Sequence, residues 1–185
     1  MSVNADFKDP VFPFTISDSS TRVEFSVDST WHMIEGRASN IHGQIHQSKP
    51  SDLKSITGNI IFPVMSFDTQ NSMRDKRLKE VMNEKEFPNV EFIVNGSDGS
   101  CNLAKLESGP NLSCIQTLKG KLKIKDVTKD LAIPCTLSLD ENGELSIEGM
   151  TSFTWREFQI EDPSILIAKL YEDVQVKFNI ILSKR

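Results

Sequence analysis

Apolar residues recur at every second position along most of this chain, and few architectures accommodate such a pattern. Leu131, Ile133, Cys135, Leu137 and Leu139 alternate with Ala132, Pro134, Thr136 and Ser138. Val174, Val176, Phe178, Ile180 and Leu182 repeat the pattern near the C-terminus, and Val23, Phe25 and Val27 do so near the start. Leu118, Leu122 and Ile124 alternate with Lys119, Lys121, Lys123 and Lys125. Two further runs are carried by Leu145, Ile147, Thr151 and Phe153, and by Ile56, Ile60, Phe62 and Val64. In an extended chain successive side chains point to opposite faces, so each run predicts a strand with one face in a core and one in water.

Turn chemistry separates the runs. "KDVTKD" (Lys125–Asp130) and "DENGE" (Asp140–Glu144) each stand between two strands, the second with an Asn-Gly pair suited to positive φ. "NGSDGS" (Asn95–Ser100) is expected to close another strand. Pro63 and Pro134 each lack a ladder donor, which places them at an edge, a bulge or a strand end. A short turn is also expected around Pro163–Ala168.

One segment reads as a helix, about Ser72–Asn83, with Asn71 or Ser72 as its cap. Met73, Leu78, Val81 and Met82 form its apolar stripe, with Arg74, Lys76, Arg77 and Lys79 opposite. It belongs to a long excursion, "MSFDTQNSMRDKRLKEVMNEKEFPNVEF", which leaves one strand after Phe67 and returns to the next. Asp68 and Thr69 can end the first strand, and Phe87 and Pro88 are expected to pack the helix onto the sheet. Of Arg74 and Asp75, one is expected to anchor the helix and the other to face the barrel mouth. Excursions of this length usually carry function or cover an opening.

The strands, about eight of them and mostly in hairpin order, predict an all-β fold: a closed antiparallel β-barrel with one short helix after the fourth strand region. Such a barrel can fill its interior or hold one small ligand. The chain has 185 residues, 38% apolar and 25% charged, which suits a single domain with a real core. Residues 1–20 read as an N-terminal segment and 21–185 as the barrel. The formal net charge of −5 argues against a nucleic-acid surface, which needs excess Lys and Arg. No apolar run is long enough to span a bilayer, so stable membrane insertion is not expected. No secretory signal is visible; the expectation is a cytoplasmic protein if Met1 is the native start, or a periplasmic one if a signal was removed. A homodimer is compatible with these features.

Candidate chemistry is sparse. His42 and His46 lie in "NIHGQIHQ", which reads as strand; four residues of strand separate their Cα atoms by about 13 Å, too far to chelate one ion. They read as surface histidines, and no metal site is expected. G-x-S-x-G, H-E-x-x-H and a Walker loop are all missing, so no catalytic residues are assigned. The three cysteines are expected to be free thiols, the alternative being a Cys101–Cys114 disulfide across a hairpin. The lysines at 119–125 read as a solvated outer face.

The excursion resembles the signature of the YceI-like family: strand, S-x-D-T-x-N, R-D-x-x-L, then an aromatic-Pro stretch before the next strand. Ser66, Asp68, Thr69, Asn71, Arg74, Asp75, Leu78, Phe87, Pro88 and Phe92 carry the match. "LKGKLKIKDVTKDLAIPCTL" resembles the family's G-x-L-x-I-x-x-V-T-K, through Gly120, Leu122, Ile124, Val127, Thr128 and Lys129. "FTWREFQI" is similar to its R-x-x-F-x-I. The chain departs from the family at Arg77, where His is frequent, and in having "DSTWHMIEGRA" where K-H-x-G is usual.

The resemblance implies a lipocalin-like barrel around an elongated apolar pocket that binds an isoprenoid lipid, such as a polyprenyl phosphate or a quinone, without covalent chemistry and without a further cofactor. On that reading the lining is drawn from Phe25, Trp31, Phe62, Phe67, Phe92, Leu122, Phe153 and Phe178. Arg74, Arg77 and His32 are the candidates for a polar or phosphate head group at the mouth. Two alternatives are a packed barrel acting through its surface, which requires a filled interior, and an enzyme with His32 as base, which requires that histidine deep in a cleft.

Overall fold

The computed structural model describes residues 13–49, 52–102, 106, 112–142, 144–164 and 169–184. Ten strands carry the alternating runs: β1 (Pro13–Ile16), β2 (Arg22–Ser29), β3 (Ile34–Ala38), β4 (His42–Gln47), β5 (Ile56–Pro63), β6 (Asn89–Gly99), β7 (Ser113–Ile124), β8 (Val127–Leu139), β9 (Leu145–Thr154) and β10 (Leu170–Lys184). All pairings are antiparallel, and β1–β10 pairing closes the sheet on itself.

These ten strands make a closed eight-stranded barrel because two of its staves are interrupted. β10 pairs with β2 from Leu170 to Asn179 and with β1 from Leu182 to Lys184, so β1 and β2 lie end to end along one edge. β4 pairs with β1 and β3 with β2, forming the next stave in the same divided way. The two interruptions are tied together where Ile41 N–H donates to Asp18 Oδ1 at 2.6 Å. The barrel thus begins with β1, ahead of the boundary expected at residue 21.

Two turn expectations change. The β7–β8 turn is only Lys125–Asp126, with Lys125 left-handed at φ 56°, and "VTKD" is already strand. β6 runs through "NGSDG" and ends at Gly99 as expected, but the register shifts between Val94 and Gly96, so the segment holds a bulge as well as the strand end. In the "DENGE" turn Asp140 N–H donates to Glu144 O at 3.0 Å; Gly143 lies outside the described residues, as do 165–168 of the expected Pro163–Ala168 turn. Pro63 ends β5. Pro134 lies inside β8, where the β8–β9 ladder stops: its last pair is Cys135↔Gly149, and a residue with no N–H cannot extend it.

The helix α1 spans Ser72–Val81, with Asn71 Oδ1 accepting from Met73 and Arg74 N–H at 3.1 Å each. Val81 and Met82 are buried and seat it on the barrel, Leu78 packing beside them. Pro88 is exposed and Phe87 half-buried, so the expected Phe87–Pro88 anchor is a lesser one. The lysine face is solvated and balanced, with Lys119 paired to Asp98 and Lys121 to Asp130.

One end of the barrel is a solid floor. Phe14, Ile45, Ile56, Leu137, Leu145 and Leu182 are buried there. Gln116 Nε2 donates to Ser97 Oγ (2.8 Å), which donates to Leu53 O (2.6 Å), and Gln116 Oε1 accepts from Cys101 N–H (3.3 Å). Beside this network Cys101 and Cys114 form a disulfide linking the end of β6 to the start of β7. The expectation of three free thiols is corrected: Cys135 alone is free and buried, and burial pushes its thiol pKa up. The two half-cystines are brought together because β6 and β7 pair along their length, which sequence spacing alone does not reveal. With a sequence separation of 13, loop closure predicts that Cys101→Ser/Cys114→Ser loses about 3 kcal/mol of stability. Urea denaturation of oxidised protein checks this; equal midpoints would refute it.

Candidate functional site

Opposite the floor the barrel encloses a cavity of about 410 Å³. Its walls follow from the alternation: Val23, Phe25 and Val27 from β2, Phe92 from β6, Leu118 and Leu122 from β7, Ile133 from β8, Phe153 from β9, and Val176, Phe178 and Ile180 from β10 all face inward. At the upper end pairing is incomplete, since the β8–β9 ladder stops at Cys135↔Gly149 and β3 pairs only with β2 among the described strands, and two short segments line the cavity there. Beyond β5, a 3-10 turn at Val64–Ser66 leads to a single bridge in which Arg37 N–H donates to Asp68 O (2.9 Å) and Asp68 N–H to Arg37 O (3.0 Å). Helix α1 then covers the opening with Arg74, Leu78, Val81 and Met82, spaced at i, i+4, i+7 and i+8 along one face. After β9, the 3-10 turn Trp155–Phe158 brings Trp155 and, just beyond it, Ile160 to the cavity. Phe158 is buried behind them, its ring edge-on to Phe153 at 5.1 Å.

Polar atoms gather at the mouth, on Ser29, His32, Thr69, Asn71 and Arg74. Thr69 is the keystone. Its N–H (2.8 Å) and hydroxyl (2.6 Å) both donate to Asp75 Oδ1, while Arg74 Nη2 donates to Thr69 O (2.8 Å) and Nε to Thr69 Oγ1 (3.3 Å). Asp75 thus anchors the loop and Arg74 lines the mouth, as expected, with Arg74 adding its own bonds to Thr69. The guanidinium keeps further N–H groups beyond those bonds. Among the described residues it has no ion-pair partner. A fixed cation thus stands at the edge of an apolar chamber.

Phe25, His32, Phe62, Phe67, Arg74, Phe92, Leu122, Phe153 and Phe178 line the cavity; Trp31 and Arg77 do not. Trp31 is 65% exposed. Extending the β2 alternation to residue 31 fails because the strand ends at Ser29. Its Oγ donates to His32 O (2.5 Å) and accepts from His32 N–H (3.2 Å), a turn that swings Trp31 outward and His32 to the rim. His32 is exposed, not deep in a cleft. Arg77 lies to the side of the inner helix stripe; its Nη2 donates to Asp162 O (2.9 Å) and Nη1 lies 3.8 Å from Glu80. Serine 164 donors hold the Asp162 carboxyl below its ordinary range. Trp155, Val81 and Met82 were missed as lining. For Trp155 a signal exists, since it continues the β9 alternation of Thr151 and Phe153. His42 and His46 are exposed, and among the described residues no three metal-ligating side chains converge. No helix is long and apolar enough to cross a membrane, again among the described residues.

An eight-stranded antiparallel barrel with a floor, a capped mouth and an apolar chamber defines a lipocalin-like architecture. A model of the YceI-like domain matches residues 14–182, and the chain belongs to the YceI-like family. The fold is similar to that of Burkholderia cenocepacia BcnA, with TM-score 0.73 and 18% identity over 91% of this chain and 99% of that one. It is similar to a polyisoprenoid binding domain from Saccharophagus degradans implicated in plant cell wall breakdown, with TM-score 0.75 and 10% identity over 95% and 100%. The Campylobacter jejuni YceI protein aligns with TM-score 0.62 and 14% identity over 82% and 85%. None of the curated proteins compared matches the sequence.

Two outcomes test the mouth. Asp75→Ala leaves the buried Thr69 donors without an acceptor and is expected to cost about 2–3 kcal/mol in urea denaturation; an unchanged midpoint would show that the clamp contributes nothing. At the 155–158 turn, Thr154 N–H donates to Glu157 Oε2 (3.0 Å) and Thr154 Oγ1 accepts from Glu157 N–H (3.3 Å). The Thr154 backbone and hydroxyl bonds hold the Glu157 carboxyl below its ordinary value of 4.5. A depressed folded-state pKa means that the cap stabilises the turn above that value and is lost as pH falls through the folded one. Acidification is therefore expected to change Trp155 fluorescence, and Glu157→Gln to abolish that step.

Proposed function

We propose that this protein binds and carries an apolar isoprenoid-type lipid, a polyprenyl phosphate or a quinone, with its chain in the barrel and its polar head at the mouth. The carrying observation is the apolar cavity of about 410 Å³ that opens beside Arg74. Moving a hydrocarbon chain from water into such a chamber gains about 0.8 kcal/mol per CH₂, which is enough for tight binding without a covalent bond. A barrel acting only through its surface needs a filled interior, and this one is hollow. Catalysis by His32 needs a deep histidine, and this one is at the rim. The relative described as a polyisoprenoid binding domain shares the architecture and supports the ligand class. Arg74 suits the head group because a guanidinium offers several N–H donors to phosphate oxygens or a quinone carbonyl.

Native mass spectrometry of protein purified from its own host, followed by solvent extraction, is expected to recover one prenyl compound per chain. Repeated recovery of no apolar compound would end the proposal. In reconstituted protein, Arg74→Met is expected to weaken farnesyl phosphate about tenfold while changing farnesol little, since only the phosphate uses the charge. Equal losses for both would remove Arg74 from head-group recognition.

A further inference from the structure

Three of the inward glycines of the barrel, Gly36, Gly120 and Gly149, each lie under a phenylalanine ring. A Cβ on Gly36 would stand 2.3 Å from Phe25 Cζ, one on Gly120 2.5 Å from Phe92 Cζ, and one on Gly149 2.7 Å from Phe178 Cζ. Phe25 and Gly36 are direct cross-strand partners, as are Phe178 and Gly149; Phe92 reaches Gly120 diagonally from its own partner Leu122. None of the three glycines has a left-handed φ, so space rather than backbone conformation requires them. An inward aromatic in a barrel of this size would ordinarily project toward the axis and fill it. Here each ring leans over the neighbouring strand into the room left by a missing side chain. All three phenylalanines still form cavity wall, while the glycines they cover do not reach the cavity.

We infer that these three ring-over-glycine pairs set the bore of the cavity and thereby select for a methyl-branched chain over a slimmer linear one, an inference that rests on the carrier reading above. With the rings laid against the wall the chamber is wide; with any ring swung inward it narrows, and the wider chain suffers first. Gly36 is the clean place to test this. The nearest atoms to its added Cβ are all of the Phe25 ring, whereas Gly120 and Gly149 also meet the backbone oxygens Ile93 O (2.4 Å) and Pro134 O (3.0 Å). The Phe25 ring borders the lumen and has Phe67 beside it, their ring centroids 5.6 Å apart.

The experiment uses the full chain carrying Trp31→Phe, so that Trp155 in the cavity wall is the single fluorescent tryptophan, titrated with farnesol and with n-dodecanol. Gly36→Ala is expected to weaken farnesol about tenfold and dodecanol by less than about threefold, the size of effect that overpacking produces. Adding Phe25→Leu to Gly36→Ala is expected to return farnesol to within about threefold of the parent, because the clash is with that ring alone. Unchanged farnesol binding in Gly36→Ala overturns the inference. So does a loss that persists in the double variant while both proteins melt like the parent. Should Gly36→Ala fail to fold, Phe25→Leu alone decides: the widened bore is expected to raise retinol affinity relative to farnesol about fivefold, and no change overturns the inference. A parent protein that binds neither alcohol overturns the carrier reading along with this one.

Discussion

The architecture hangs on β10, which hydrogen-bonds with three strands. Along one edge it follows β9 from Asp173 to Leu182; along the other it takes β2 and then β1 in succession. An open sheet would leave that second edge as a row of unpaired N–H and C=O groups. Closure satisfies them, and it also fixes which side chains face inward, since a one-residue slip would reverse every one of them. The interior is therefore a consequence of backbone pairing, and its apolar character follows from the period-2 pattern that each stave carries.

Closure alone would give a tube alike at both ends. The two ends differ because polar chemistry is distributed unequally. At the floor, Ser97, Gln116 and the Leu53 carbonyl satisfy one another within the buried end, and the Cys101–Cys114 bond holds β6 to β7 beside them. At the mouth the ladders stop early: β5 ends at Pro63, and β8 parts from β9 at Pro134. Short non-strand segments fill those gaps. They supply larger side chains and a cation, Arg74, that a continuous barrel wall would not place there. Buried packing and the Ser97–Gln116 network make a floor, and interrupted ladders leave the mouth to short non-strand segments.

Much of this was legible in the sequence. Val174 to Leu182 and Leu131 to Leu139 name their strands and faces outright, and Asn71 announces the helix start. What was not legible lay where local pattern meets tertiary geometry. Trp31 continued a period that the Ser29 turn had already broken. Arg77 belonged to the right helix, but on a neighbouring face, where it found the Asp162 carbonyl. Cys101 and Cys114 looked too sparse to pair until the β6–β7 register brought them together. The bulge in "NGSDG" was hidden because turn residues and bulge residues are the same types. Gly120 stands in the family-like motif, but the packing role of Gly36, Gly120 and Gly149 was not legible, because a glycine's role in a wall depends on which neighbour leans over it.

Arg74 raises an electrostatic question in a chain of net charge −5. Surface charges separated by more than about 8–10 Å are largely screened at physiological salt, so the overall acidity weighs little at the mouth. What counts is the immediate setting. Asp75, the nearest carboxylate in sequence, spends Oδ1 on the Thr69 N–H and hydroxyl rather than on the guanidinium. Arg74 is thereby oriented by neutral acceptors on Thr69 instead of being neutralised by a carboxylate. Beside it, low-dielectric apolar wall strengthens any hydrogen bond that the guanidinium makes to an incoming polar head. The same Thr69 clamp that stiffens the loop thus leaves the Arg74 charge at the cavity's edge without a carboxylate partner among the described residues.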